Sequence, residues 1–168
     1  FQKHLPRLKD MGIKIIWLMP IFPIGETKRK GPLGSYYSVT NYTEVNPEFG
    51  NKEDMKALIN EIHGLDMKVI LDWVPNHTAW DHSWVTHHPE FYQKNKNGEI
   101  TDPLDWSGNP HGWEDVAGLN YNNKDLRKAK ISQLCYWIHN FNIDGFRMDI
   151  AYGVPLDFWK ECAEALVN

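Results

Sequence analysis

Arg147 and Asp149, in the string GFRMDI, have residue types and a spacing that could do chemistry. Two positions apart on a strand, their side chains project to the same side, while Phe146 and Met148 point the other way into apolar packing. A structural ion pair is one reading, since such pairs also place a carboxylate beside a cation. The other is catalytic, because a fixed cation keeps a carboxylate ionised and oriented, as a nucleophile requires.

Three more polar residues, Asp72, Asn76 and His77, lie in the string DWVPNH, where an apolar run ends. In parallel α/β folds, side chains at the carboxyl ends of strands, and in the loops that follow, form the site. Asp72 ends a buried strand, so we favour an orienting or hydrogen-bonding role for it. His77 could donate to a substrate hydroxyl or satisfy backbone groups of its loop. These strand ends are predicted to point toward one region.

The elements that would position these residues alternate in the order helix, strand, helix, strand, helix, strand, helix. Apolar periodicity predicts strands at 13–20, 67–74 and 143–150, and helices at 1–11, from Asn51 to about 65, from Asn122 or Asn123 to about 141, and from Pro155 onward. Buried-type strands in this order predict an α/β fold with parallel βαβ units. An open doubly wound sheet and part of a (β/α)8 barrel both fit. A complete barrel needs about 250 residues, which exceeds the 168 here.

Two irregular stretches, 21–50 and 78–121, are too long for simple connections. We interpret the second, rich in Trp, His, Gly, Pro and Asp, as a small inserted subdomain. Long loops that carry aromatic residues are more often functional than idle. The chain is 13% aromatic, and flat rings suit the faces of sugars, although aromatic residues are also ordinary core material.

Composition and missing motifs argue against several classes of function. The net charge is -4 and the longest basic block is KRK at 28–30, so a nucleic-acid partner is not expected. No uninterrupted apolar stretch approaches the roughly 20 residues of a membrane helix. The strings GxGxxG, GxxxxGKS/T and GxSxG are absent, which leaves dinucleotide, P-loop and nucleophile-elbow chemistry without support. The sequence assigns no compartment.

Cysteine and histidine residues show no spacing typical of metal ligands. Cys135 and Cys162 fall in helix-like stretches and are expected to be buried or half-buried thiols. The histidines of the second irregular stretch lack a further cluster of ligands, and we interpret them as solvated loop residues rather than zinc ligands. They are His82, His87, His88 and His111.

Four strings resemble, in order and spacing, motifs of the α-amylase family of glycoside hydrolases, which are built on a (β/α)8 barrel. They are YSVTNYTEVNPEFG (37–50), DWVPNH (72–77), DVAGLNY (115–121) and DGFRMDIA (144–151). The resemblance covers essentially the whole chain. It implies that the predicted strands are about strands 2 to 4 of a TIM barrel, with a small irregular domain inserted after strand 3. The barrel would then occupy 1–77 and 122–168, and the inserted domain 78–121.

The resemblance also implies a role for each matched residue. Asp149 corresponds to the nucleophile and Arg147 to its orienting partner. His77 matches a residue that hydrogen-bonds the sugar at the cleaved position, and Tyr37 matches one that stacks on that sugar. We therefore expect retaining hydrolysis of α-glucosidic bonds in starch-like glucans or maltooligosaccharides, through a covalent glycosyl intermediate on Asp149.

Retaining hydrolysis needs two carboxyl groups about 5 to 5.5 Å apart. The resemblance implies that the second is a Glu at the end of strand 5, which would begin after Asn168. This chain alone is therefore expected to be inactive and to act with the remaining barrel segments of the full-length protein. It is further expected to have exposed sheet edges and apolar helix faces where those segments belong.

Other functions share the same motifs. Glucanotransferases and sucrose- or trehalose-directed members of the family use the same intermediate, because water and sugar acceptors compete for it. A non-catalytic module that binds a glucan or a partner is also compatible with the fold. The joint presence of Arg147, Asp149, His77 and Tyr37 speaks against such a module.

The chain departs from the family pattern in two places. Tyr152 and Gly153 stand where many α-amylases have a Lys-His pair that contacts the leaving-group sugars. Gly118 stands where calcium-binding members usually have Asp, which leaves Asn76 as the matched side-chain ligand. We expect the chemistry to require no cofactor, and Asn76 to brace the inserted domain. A structural calcium ion with Asn76 among its ligands is the alternative.

Overall fold

Residues 1–167, which the computed structural model describes, contain five α-helices and five strands. In chain order these are α1 (Leu5–Asp10), β1 (Ile15–Leu18), α2 (Lys52–Gly64), β2 (Lys68–Trp73), β3 (His77–Ala79), α3 (Ser83–His87), β4 (Val116–Gly118), α4 (Lys124–Phe141), β5 (Gly145–Met148) and α5 (Leu156–Val167). Single 3-10 turns lie at Gln2–His4, Pro47–Phe49, Pro89–Phe91 and Ala151–Gly153. The predicted alternation of helices and strands is confirmed, and each strand is shorter than predicted.

Strands β1, β2 and β5 form one parallel sheet in the order β1-β2-β5. Parallel pairing was predicted from the buried type of the strands and is confirmed. Asp72 of β2 lies directly opposite Arg147 of β5. Phe146 and Met148 pack against the apolar core, as the alternation of side chains along a strand requires. The sheet therefore brings a carboxylate and a guanidinium to neighbouring positions on one face.

The two faces of this sheet differ in character. On one face, Val69, Leu71 and Trp73 of β2 are fully buried in the core. On the other, Ile15 and Trp17 of β1 are about half exposed, at 56% and 50% of their surface. The face that carries the polar side chains is thus open within this chain.

Helix ends follow the local sequence signals. The side chain of Asn51 accepts from the backbone of Asp54, whose own carboxylate accepts from the backbone of Asn51, so α2 begins with a capping box. The side chain of Asn123, one of the two predicted caps, accepts from the first turn of α4. Helix α4 ends at Phe141 and is capped by Asn142, which adopts a left-handed conformation with φ of 56°.

The stretch 78–121 is more ordered than its composition predicted. Strands β3 and β4 pair antiparallel, with Thr78 opposite Ala117. Single bridges add further order, joining Tyr92 to Leu119, Lys94 to Ile100, and Leu104 to Pro110. The interpretation of the histidines as solvated is wrong for His82, which is buried because its ring packs against Tyr42 and Trp84 and its Nδ1 caps α3.

An aromatic group lies beneath the carboxyl end of β2. Tyr42 and Trp73 are packed with their ring centroids 4.8 Å apart, and Phe22 contacts both. The indole of Trp137 donates to the carbonyl of Tyr42 at 2.6 Å, so α4 is fastened to this group. No helix within residues 1–167 combines the length and apolar character that a membrane crossing requires.

Candidate active site

Nη1 of Arg147 lies between two carboxylates at the carboxyl end of the parallel sheet. It is 2.7 Å from Oδ1 of Asp149 and 3.2 Å from each oxygen of Asp72. The register explains this arrangement, because Asp72 is opposite Arg147 and Asp149 follows two positions later. Arg147 is therefore both a partner of the candidate nucleophile and a structural link between β2 and β5.

Asp72 is held by donors from three parts of the chain. Its Oδ2 accepts from the indole of Trp17 and from the hydroxyl of Tyr37, each at 3.2 Å, in addition to Arg147. Burial raises the pKa of Asp72, and the guanidinium of Arg147 opposes that rise. Asp72 thus fastens β1, the 21–50 loop and β5 to the end of β2.

Tyr37 stands at the edge of this network with its ring half buried. Burial and the neighbouring carboxylate of Asp72 raise the pKa of its phenol, so the hydroxyl stays protonated and donates. Trp17 lies under the guanidinium of Arg147, with its ring centroid 5.3 Å from Cζ. The ring of Trp17 therefore limits where the Arg147 side chain can go on that side.

His77 begins β3 and is buried, with 4% of its surface exposed. Burial lowers the pKa of its imidazole to about 4, and a hydrogen bond with the backbone of Tyr37 opposes that shift. At neutral pH the ring is therefore uncharged and has one donor and one acceptor nitrogen. An uncharged imidazole of this kind can exchange hydrogen bonds with a sugar hydroxyl.

Asn76 occupies a crossing point between segments. Its carbonyl accepts from the backbone N–H of Leu119 at 3.1 Å, which joins the turn after β2 to the chain that follows β4. Its side-chain oxygen packs against Gly153, where a Cβ would lie only 2.7 Å from Oδ1. Glycine at 153 is therefore what allows the turn after β5 to approach Asn76.

A cleft of about 160 Å³ opens beside Asp149. Its lining residues are Ser35, Tyr37, His77, Trp113, Asp115, Val116, Asp149 and Ile150. Of the residues singled out in the sequence, Tyr37, His77 and Asp149 line the cleft together. Arg147 and Asp72 lie behind Asp149 rather than in the lining, and Asn76 lies beside His77.

Two lining residues, Trp113 and Asp115, were missed by sequence reasoning. The ring of Trp113 stacks on His111 at 4.5 Å and approaches His77 edge-on at 6.1 Å. Asp115 pairs with Lys30 at 3.0 Å, so the last residue of the KRK string at 28–30 lies at the rim of the cleft. Asp115 is the first residue of the DVAGLNY string, and its place in that string is the sequence signal that could have identified it as a residue of the cleft.

The residue after the candidate nucleophile has unusual backbone geometry. Ile150 adopts a left-handed conformation with φ of 46°, which β-branched residues rarely do. Its carbonyl accepts from Gly153, closing a tight turn, and the backbone N–H of Asp149 donates to Trp73 at 2.8 Å. The chain therefore turns sharply as soon as it leaves Asp149.

A larger cleft of about 560 Å³ lies near the end of β1. Apolar side chains such as Leu18, Phe49 and Met55 dominate its lining, and the carboxylate of Asp54 there is engaged in the cap of α2. A large apolar pocket is the usual first candidate for a site. Here the convergent polar groups lie in the smaller cleft, which we take as the candidate active site.

Position 118 does not fit the carboxylate ligand that a calcium site of the family type would need there. A Cβ at position 118 would lie 2.7 Å from Cα of Pro103, so an Asp cannot replace Gly118 without moving backbone. Calcium takes six to eight oxygen ligands, whereas Asn76 is the matched side-chain ligand. Residues 1–167 contain no group of three or more His, Cys, Asp or Glu that could hold a metal ion.

Comparisons with known proteins match this chain to α-amylases. The family described as "Alpha amylase, catalytic domain" matches residues 1–161. Among curated relatives, Alpha-amylase 2 of Dictyoglomus thermophilum is 32% identical over 163 residues, covering 94% of this chain and 27% of the relative.

Solved structures give the same result. A noncanonic maltogenic alpha-amylase, AmyB from Thermotoga neapolitana, superimposes with a TM-score of 0.89 and 41% identity, covering 99% of this chain and 38% of that one. An alpha-amylase from Lactobacillus plantarum reaches a TM-score of 0.89 and 44% identity, covering 97% of this chain and 37% of that one. The chain thus spans between about a quarter and two fifths of the length of these proteins.

Proposed function

Because the chain belongs to the α-amylase family, we propose that the full-length protein is a retaining glycoside hydrolase acting on α-glucosidic bonds of starch-like glucans or maltooligosaccharides. The observation that carries this proposal is the contact of 2.7 Å between Arg147 Nη1 and Asp149 Oδ1, beside a cleft lined by Tyr37 and His77. The relatives named amylase support the choice of substrate class.

In the proposed reaction, Asp149 is the nucleophile. Arg147 holds Oδ1, and we assign Oδ2 as the atom that attacks the anomeric carbon of the sugar. The bond from that carbon to the leaving-group oxygen breaks as a carboxylic acid protonates the oxygen. Water, deprotonated by the resulting carboxylate, then attacks the same carbon and releases Asp149 with net retention of configuration.

The proposed substrate contacts come from three side chains around the cleft. Tyr37 provides a ring face for the sugar at the cleaved position, and His77 exchanges a hydrogen bond with one of its hydroxyls. Trp113 adds an aromatic wall next to His77. Apolar ring faces with a few polar groups are the usual combination in sugar-binding clefts.

The general acid is proposed to come from another segment of the full-length protein. Asp72 is unsuited to protonate a leaving group because it is fully buried and receives three donors on its two oxygens. Asp115 lines the cleft, but its carboxylate is directed to Lys30. Asp72 and Asn76 are assigned supporting roles, and the chemistry is proposed to need no cofactor.

The proposed domain organisation follows from the same family assignment. Residues 1–77 and 122–168 would form about strands 2 to 4 of a (β/α)8 barrel. Residues 78–121 would form the small domain inserted after strand 3, with β3 and β4 as its base. The open face and free edges of the parallel sheet would then be covered by the remaining barrel segments.

Product analysis with the full-length protein tests the proposal. Incubation with starch, maltotriose, sucrose and trehalose should yield shorter glucans from the first two substrates, and proton NMR should detect the α-anomer first. Release of the β-anomer would contradict the retaining mechanism. Longer glucans as the main products would favour a glucanotransferase. Turnover of sucrose or trehalose alone would favour a sucrose- or trehalose-directed member of the family. No turnover, with binding of maltotriose intact, would favour a glucan-binding module.

A further inference from the structure

Lys130 of α4 is completely buried, which is rare for lysine unless it is paired with an acid. Its amino group lies instead among aromatic rings and one backbone carbonyl. Nζ is 3.4 Å from the ring centroid of Tyr42 and 4.8 Å from that of Trp73. These ring faces replace part of the water that the amino group has lost.

The carbonyl next to Lys130 belongs to the turn that carries His77. Nζ lies 3.4 Å from the carbonyl oxygen of Val74. The hydroxyl oxygen of Tyr42 is 2.7 Å from that same carbonyl and also 2.7 Å from the carbonyl of His77. The carbonyl of Val74 is therefore within reach of both Lys130 and Tyr42. Of these two side chains, only Tyr42 reaches the carbonyl of His77.

A count of hydrogens separates the roles of the two side chains. The hydroxyl of Tyr42 has one hydrogen and can donate to only one of its two carbonyl neighbours at a time. The amino group of Lys130 has two hydrogens when neutral and three when charged. Burial lowers the pKa of Lys130 well below its usual range, but either form can donate to Val74. With Lys130 on Val74, the hydrogen of Tyr42 is available for His77.

We propose that Lys130 is a positioning residue for His77: it donates to the carbonyl of Val74, leaves the Tyr42 hydrogen for the carbonyl of His77, and so fixes the turn 74–77. The inference rests on the proposed function, in which His77 contacts the sugar. The other two carbonyls of the turn are also bonded, Pro75 to the hydroxyl of Tyr121 at 2.7 Å and Asn76 to Leu119 at 3.1 Å.

The alternative is that Lys130 only fills space. A buried amino group can often be replaced by an apolar side chain of similar volume without loss of stability. Lys130→Met keeps the length of the side chain and removes every donor hydrogen. A space-filling lysine would then give normal kinetics, whereas loss of a positioning lysine should lower kcat/KM for maltotriose even where the melting temperature is kept.

A double-mutant cycle with the full-length protein tests this. Lys130→Met should lower kcat/KM for maltotriose about tenfold, and in a His77→Ala background it should cause no further loss, because its effect passes through His77. Lys128→Met is the matched control, since Lys128 lies on the same helix and its side chain is 78% exposed. The control should leave kcat/KM unchanged.

Two outcomes would overturn the inference: normal kcat/KM in a folded Lys130→Met protein, or an equal loss from Lys130→Met in the presence and absence of His77. If Lys130→Met does not fold, Tyr42→Phe takes its place. That variant removes the hydrogen assigned to the carbonyl of His77, and its loss of kcat/KM should likewise disappear in the His77→Ala background.

A failure of the proposed function is distinguishable from a failure of this inference. If the unmodified protein cleaves neither starch nor maltotriose, the proposed function fails. The inference is then tested by carbonyl carbon NMR shifts of Val74 and His77. Lys130→Met should move both resonances toward values for weaker hydrogen bonding, because two carbonyls then share one hydrogen; unchanged shifts would overturn it.

Discussion

Asp72 and Asp149 are bonded to the same nitrogen atom, Nη1 of Arg147, at 3.2 Å and 2.7 Å respectively. The side chain of Asp72 is fully buried, whereas that of Asp149 is 17% exposed at the cleft. One guanidinium therefore compensates a buried charge and orients a candidate nucleophile. Mutation can separate the charge compensation of Asp72 from the orientation of Asp149.

Replacing Arg147 with Met should lower both stability and activity. Asp72 loses its cation, which should cost about 1–3 kcal/mol of unfolding free energy, at the lower end because solvent reaches Arg147. Adding Asp72→Asn should restore most of that loss, since the neutral amide needs no cation. Activity should fall about 100-fold and stay low in the double variant, because Asp149 remains unheld. Melting temperatures and kcat measure the two effects, and a double variant that regains activity would contradict the orienting role.

Replacing Asp149 with Asn should abolish turnover while leaving the fold intact. An amide cannot form the covalent intermediate, so kcat on maltotriose should fall by about 10⁴-fold or more. The melting temperature should change little, because Arg147 can still donate to the amide oxygen. Asp125→Asn, at an exposed ion pair with Lys128, is the control and should retain normal kcat. Near-normal activity of the Asp149 variant would refute its assignment as nucleophile.

Local periodicity was sufficient to predict which side chains share a face of β5, because Arg147 and Asp149 are two positions apart on one strand. The pairing of Asp72 with Arg147 was not predictable from the strands singly, since it depends on register between β2 and β5. The positions of Trp113 and Lys130 were likewise not predictable from local sequence. Trp113 lies in a stretch without periodicity, and the burial of Lys130 depends on aromatic residues 57 to 88 positions away.

His82 should make stability depend on pH in the acidic range. Burial lowers the pKa of its imidazole to about 3, whereas unfolded histidine titrates near 6.5. Below pH 6.5 the unfolded state therefore binds the proton first, and stability should fall by about 1.4 kcal/mol per pH unit until pH 3. His77, with a pKa of about 4, acts in the same direction down to that pH.

The variant His82→Asn should flatten this dependence. Asn does not titrate, and its side-chain oxygen can still accept from the backbone of Trp84 at the start of α3. The melting temperature should therefore drop less between pH 7 and pH 4 than in the unmodified protein. His139→Asn, at an exposed position, should leave the drop unchanged. An equal drop in all three proteins would show that His82 is protonated in the folded state.

Calcium should not stabilise this part of the protein. Gly118→Asp restores the residue type expected of calcium-binding relatives, yet its Cβ would collide with backbone atoms of Pro103 at 2.7 and 2.9 Å. The variant should lose about 1–3 kcal/mol of stability from overpacking, with or without added calcium. The unmodified protein should melt at the same temperature in EDTA and in calcium. Stabilisation of Gly118→Asp by calcium would contradict this prediction.

The left-handed conformation of Ile150 has a consequence for protein engineering. A β-branched residue at φ of 46° costs stability that a glycine would not. Selection for thermal stability alone should therefore enrich glycine or asparagine at 150. Ile150 sets the direction of the chain directly after Asp149, so the same substitutions should make the position of the Asp149 carboxylate less fixed. A substitution at 150 that raises the melting temperature should therefore lower kcat.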